Sequence, residues 1–254
     1  MTTSSSCCTC RTSSTPAEKE RTMQRRQLLT AFSAASALAL LPGLTQAQQD
    51  ETVLDLYLVR HGQTAWNLEK RLQGATDNVL NETGRRQATE LAQRLAGVKF
   101  THIYSSGLKR AQETAAAFAG STPVTPLPAL NERSFGKFEG IFEDERSAAL
   151  FAEFGKRGSM LDDALDGGES LQSQADRVKS AVRDITGKHK TGSVAIVAHG
   201  GVNPLVLAAL LDLPVPEAVA RIKQANDEVY LVRLRPGQAP SVWKQIVRST
   251  LEQL

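Results

Sequence analysis

The stretch Val53-Leu54-Asp55-Leu56-Tyr57-Leu58-Val59 runs without a break into Arg60-His61-Gly62. A short, almost wholly apolar run of this kind predicts a buried β-strand. Ligands of open α/β sheets bind in the crevice outside the carboxyl ends of the strands. A guanidinium and an imidazole are therefore delivered together to the place where such folds do their chemistry. The pattern recurs downstream, where Val194-Ala195-Ile196-Val197-Ala198 ends in His199-Gly200-Gly201.

Between and around these two strands, apolar runs alternate with helical periodicity, which predicts an α/β fold. We expect a three-layer αβα sandwich, a mostly parallel central sheet with helices on both faces. Thr83 can cap a helix whose apolar face is Ala88, Leu91, Ala92 and Leu95, ended by Gly97. A short strand follows at Thr101 to Tyr104, then a helix from Leu108 to Phe118 with Arg110 in its first turn. Pro123, Pro126 and Pro128 forbid a long element next. Leu171, Ala175, Val178, Val182 and Ile185 mark a later helix, and Val229 to Leu234 and Val242 to Val247 close the chain as strands, the last an edge. The segment from Ser134 to Gly168 fits no clean period, yet it holds Phe135, Phe138, Phe142, Phe151 and Phe154 beside Lys137, Arg146, Lys156 and Arg157. It is expected to form a small lid insertion, whose aromatic and basic side chains suit either a bulky organic phosphate or the packing of lid on body.

Composition narrows the possible partners. The 254 residues are 41% hydrophobic and 22% charged, enough for one large domain. The net charge of +3 arises in residues 1–47, which hold five of the 30 basic and two of the 27 acidic side chains. The remainder is neutral and the chain is only 5% aromatic, so the basic stripe and stacking surfaces of a nucleic-acid binder are missing. In residues 1–47 themselves, Arg25-Arg26 precede an apolar stretch that ends near Pro42-Gly43 and Thr45-Gln46-Ala47. That order predicts a bacterial export signal of twin-arginine type, cut after Ala47, with Met1 or Met23 as its start. The protein is then expected to work in the periplasm or outside the cell, as a single domain of residues 48–254 without a stable membrane anchor. All three cysteines (Cys7, Cys8, Cys10) fall in the leader, which eliminates a cysteine nucleophile from the body.

The paired strand-end histidines, with Arg60 and Arg110, point to phosphate chemistry. A phosphoryl transition state spreads charge over three oxygens, and the protein must chiefly position and neutralise it. Arginine serves this well, because its planar fork grips two oxygens and keeps its charge. Neighbouring positive charge also disfavours protonation of an imidazole, which leaves His61 a lone pair for attack on phosphorus.

Arg60-His61-Gly62-Gln63-Thr64-Ala65-Trp66-Asn67, then Arg71-Leu72-Gln73-Gly74, Ser105-Ser106-Gly107-Leu108-Lys109-Arg110-Ala111, Asn131-Glu132-Arg133 and His199-Gly200-Gly201 occur in this order. Together they resemble the histidine phosphatase superfamily, phosphoglycerate-mutase-like branch. The resemblance implies that His61 forms a phosphohistidine and that Arg60, Arg110, Asn67 and His199 hold the phosphoryl oxygens. It implies a proton-donor role for Glu132, whose bland alternative is a surface ion pair with Arg133, and contact with substrate at Gln73, Gly74 and Gly200. The small-molecule ester would be cleaved without metal or other cofactor.

Relatives that isomerise phosphoglycerate carry a tyrosine three residues after the acid and an arginine pair beyond it. Here Phe135 and Ser159-Met160 stand there. A substrate carboxylate would lose its partners, and hydrolysis is expected over mutase activity. A catalytically silent phosphate-binding module is the remaining alternative; it would need the cationic clamp but not Glu132. His102 and His189 have no functional argument, Glu169-Ser170 reads as a helix start, Asp55 lies inside its strand, and Asp162, Asp163 and Asp166 are expected to face water.

Overall fold

The computed structural model describes residues 52–246 and 251–253. The export-signal reading and the three cysteines fall on residues 1–47, which lie outside the described residues. Among the described residues seven strands form one sheet: β1 (Leu54–Arg60), β2 (Phe100–Ser106), β3 (Val124–Leu127), β4 (Gly192–Ala198), β5 (Glu228–Leu234), β6 (Ser241–Ile246) and β7 (Leu251–Gln253), in the order β3-β2-β4-β1-β5-β6-β7. The half from β3 to β1 is parallel, and β5, β6 and β7 extend it antiparallel. The last strand pairs with β6, so β6 is not the edge it was expected to be.

Helices cover both faces, as the alternation of side chains along β1 requires. Leu54, Leu56 and Leu58 pack with Val194 and Ile196 beneath α5 (Leu171–Lys188) and α6 (Asn203–Leu211). Val59 points the other way, joining Ala195, Val197 and Ile103 under α2 (Glu82–Leu95) and α3 (Lys109–Ala119). Every residue from Val194 to Ala198 is fully buried, and burial of each Val or Ile is worth roughly 1.5–3 kcal/mol. The cap of α2 is Asn81 rather than Thr83, its Oδ1 accepting the Gly84 N–H at 2.8 Å. Glu169 and Ser170 do start a helix: Ser170 Oγ accepts the Ser173 N–H, and Glu169 pairs with Arg177.

Outside the lid, three helices among the described residues are not expected from the sequence: the four-residue α1 (Ala65–Leu68), α6, and α7 (Val215–Arg221). From Asn203 to Ala208 α6 is wholly buried, so it shows no polar face and no period to detect. The expected lid contains α4 (Ala148–Arg157) and a small core of Phe138, Ile141 and Leu165 packed by Phe135, Phe151 and Phe154. Backbone Glu169 N–H to Ser134 O, at 2.9 Å, closes its neck. Four of its phenylalanines thereby pack the insertion itself, and Phe142 lies beneath Arg146, whose Cζ is 3.5 Å from the ring centroid. Asp163 and Asp166 bind Arg157, and Asp166 also binds Lys137, so neither simply faces water.

Candidate active site

The register of the parallel strands assembles the site. Arg60 pairs with Ala198 and Ser105 with Val197, so β1, β4 and β2 end side by side. His61, His199 and the Ser106-to-Arg110 turn emerge from those three ends. The His61 N–H continues the ladder to Ala198 O at 3.0 Å. The two imidazoles lie with ring centroids 5.1 Å apart.

His61 is 3% exposed and its Nδ1 is 2.8 Å from Gly62 O. A carbonyl can only accept, so Nδ1 carries the proton and the lone pair stays on Nε2. Burial, then Arg110, then Arg60, push this imidazole well below its ordinary value of 6.5. Each of these causes favours the neutral ring. His199 is fully buried and shifted the same way by burial, Arg110, His61 and Arg60. Its Nε2 meets Ser106 Oγ at 2.8 Å, and that hydroxyl donates to Asn131 Oδ1 at 2.9 Å. The serine's one proton is thus spent, which places a proton on His199 Nε2 and leaves Nδ1 towards the cleft.

Three buried nitrogens without a protein partner belong to this group: Arg60 Nε, Arg110 Nε and His199 Nδ1. Orphaned buried polar atoms are rare in folded proteins and mark functional sites. Arg110, 1% exposed, is held by Gly74 O at 2.8 Å and Thr76 O at 2.7 Å. Arg60 donates to Gln224 O, and Gly200 admits it: a Cβ there would come within 3.2 Å of the guanidinium carbon.

Glu132 follows a tight turn anchored by fully buried Leu130. Its carboxylate accepts from Gly201 N–H, Gln174 Nε2 and Arg133 N–H, each at 3.0 Å. A Cβ on residue 201 would lie 2.5 Å from Glu132 Oε1, so glycine is needed for this approach. The bland alternative fails, because Arg133 is buried and sends its guanidinium to Gly158 O at 2.6 Å. Beside Glu132 opens a cavity of about 270 Å³ lined by Arg133, Phe135, Phe154, Gln174 and Gly201, with Arg133 Nη1 buried and unpartnered.

Asn67 and Gln73 sit one step removed, both attached to Thr64: Asn67 Oδ1 accepts the Thr64 N–H at 3.1 Å and Gln73 Oε1 accepts its hydroxyl at 2.8 Å. Their amide NH₂ groups are what they could offer a ligand. Gly74 serves through its carbonyl on Arg110. The sequence reading gave no role to Ser106, Gln224, Asn203 or Asn226. Asn203 links Val59 O to Gln224, which in turn binds Leu58 O, while Asn226 donates to His61 O. His102 and His189 lie elsewhere, bound to Thr125 and Tyr104, and Asp55 pairs with Arg233. Among the described residues no group of three or more His, Cys, Asp or Glu could hold a metal ion, and no helix is long and apolar enough to cross a membrane.

A strand-end histidine pair in an arginine-lined cleft with a carboxylate opposite defines a phosphoryl-transfer class of site. The histidine phosphatase superfamily (branch 1) matches over residues 56–245, and the chain belongs to that family. Similar proteins include phosphoglycerate mutase-like protein 4 of Arabidopsis thaliana, 37% identical over 74% of this chain and 83% of that one. The metal-independent phosphoserine phosphatase of the same plant is 36% identical over 73% and 79%. The fold matches a phosphoserine phosphatase mutant from Entamoeba histolytica solved with phosphoserine: TM-score 0.64, 28% identity, 78% of this chain and 96% of that one.

Proposed function

We propose that this chain hydrolyses small phosphomonoesters through a phosphohistidine on His61. The observation that carries the reading is the buried, neutral imidazole with its Nδ1 tied to Gly62 O, set among the unpartnered Arg60, Arg110 and His199 nitrogens. His61 Nε2 attacks phosphorus, the N–P bond forms, and the P–O bond to the leaving group breaks. Glu132 gives its proton to the departing oxygen. Water then attacks phosphorus, Glu132 takes a proton from it, and Nε2 leaves. Arg60 and Arg110 balance the oxygens throughout. His199 donates from Nδ1 only as imidazolium, a form that the incoming dianion favours. Asn67 and Gln73 add amide donors at the rim.

The cavity beside Glu132 takes the leaving group. Its size and the free Nη1 of buried Arg133 favour a small alcohol bearing an anionic group such as a carboxylate, as in the phosphoserine held by the amoebal relative. The clamp alone would serve a silent binding module, but such a module has no use for Glu132. Inorganic phosphate should be released from phosphoserine-like esters in excess EDTA at the rate seen without it. Abolition by the chelator would overturn the metal-free mechanism, and interconversion of phosphoglycerates without phosphate release would make the protein a mutase.

The export reading of residues 1–47 belongs to the same proposal. Cell fractionation with N-terminal sequencing should find a periplasmic chain beginning at Gln48, whereas an unprocessed cytoplasmic chain would refute it.

A further inference from the structure

The segment Gly74-Ala75-Thr76 is gripped from two sides. On one, its carbonyls at Gly74 and Thr76 take both terminal nitrogens of Arg110. On the other, a single carboxylate from the lid draws it in. Glu139 Oε1 accepts from Ala75 N–H at 2.9 Å, Phe135 N–H at 3.0 Å and Ser134 Oγ at 3.2 Å, while Oε2 accepts from the Thr76 hydroxyl. Gly74 adopts φ +52°, and a Cβ there would lie 2.5 Å from Glu139 Oε1. The segment thus fits closely against this carboxylate.

We infer that Glu139 is a positioning residue for Arg110, acting through the carbonyls of residues 74–76 and tying the phosphoryl clamp to the lid. Arg110 cannot set its own direction. Its two terminal nitrogens follow the 74–76 backbone, and that backbone is located by Glu139. The inference rests on the phosphatase reading, in which Arg110 holds the phosphoryl group. A displacement of about 1 Å in such a clamp can cost on the order of 100-fold in rate.

The test is orthovanadate binding by calorimetry to the full-length protein, with kcat/KM measured alongside. Glu139→Ala should weaken vanadate binding about tenfold to 100-fold, in proportion to the misplacement of the clamp. Glu139→Gln retains an acceptor oxygen for Ala75 and can donate to Thr76 Oγ1, so it should restore affinity to within about threefold, a loss expected of a near-intact network. In an Arg110→Ala background Glu139→Ala should add no further loss, because residues that act through one another are non-additive. If the alanine variant fails to fold, Glu139→Asp, one methylene short of the segment, takes its place in the same cycle. Equal losses in both backgrounds, or wild-type affinity in a folded Glu139→Ala protein, would overturn the inference alone. Wild-type protein that binds no vanadate would overturn the phosphatase reading with it.

Discussion

His61→Ala should abolish turnover while the protein still folds. The proposed mechanism makes this imidazole the nucleophile, and loss of a nucleophile that works as part of a unit typically costs on the order of 10⁴-fold or more. The side chain is small and makes a single hydrogen bond, to its own neighbour Gly62. Its removal leaves the ladder from His61 N–H to Ala198 O in place, so the unfolding transition should move little. The pH dependence follows from burial and the two arginines. These lower the histidine below 6.5, and the neutral, reactive form persists as pH falls through that value. Phosphoenzyme formation read as kcat/KM, which reports the free protein, should therefore remain substantial at about pH 6, below the reference value for a free histidine. A loss centred on the ordinary imidazole value, or a folded His61→Ala protein with wild-type turnover, would remove the mechanism.

Glu132→Gln carries the second large effect, and its signature is selectivity. The single amide oxygen can still accept from Gly201 N–H, at the loss of the bond from Arg133 N–H to the other oxygen, but the amide has no acidic proton to deliver. General acid catalysis contributes about 10² to 10⁴-fold. That contribution matters most when the leaving oxygen is basic. A serine-like alkoxide should therefore suffer nearly the full loss, and p-nitrophenolate, a good leaving group, far less. With the activated ester, phosphoenzyme should then accumulate, since Glu132 is also the base for the attacking water. Equal losses on both esters would show that Glu132 merely supports the Gly200-Gly201 turn.

The strand ends were legible because their chemistry and their periodicity coincide. Val53 to Val59 and Val194 to Ala198 could be read as buried strands, and each hands over directly to a histidine and a glycine. Arg110 was reachable through its motif and its place in the first turn of α3. The supporting residues were not. Gln224 reaches Arg60 across 164 positions of chain and Leu58 O across 166, and Glu139 reaches Ala75 across 64. Such contacts are bonds from polar side chains to distant backbone and leave no periodic trace. Gly74 has a role that the motif does not show: its carbonyl accepts from Arg110 Nη2. The lid phenylalanines were ambiguous for a related reason, since a residue packed within an insertion and one lining a substrate cavity look alike in one dimension. Phe138 packs, while Phe135 and Phe154 also line the cavity beside Glu132.

Rapid-quench labelling of the full-length protein with a ³²P-phosphomonoester, followed by peptide mapping, tests the covalent step itself. The label should form within one turnover on the peptide carrying His61, survive base, be lost in acid and be missing from the His61→Ala protein. Phosphate released in a full first turnover with no label on His61, or with label on another residue, would contradict the account.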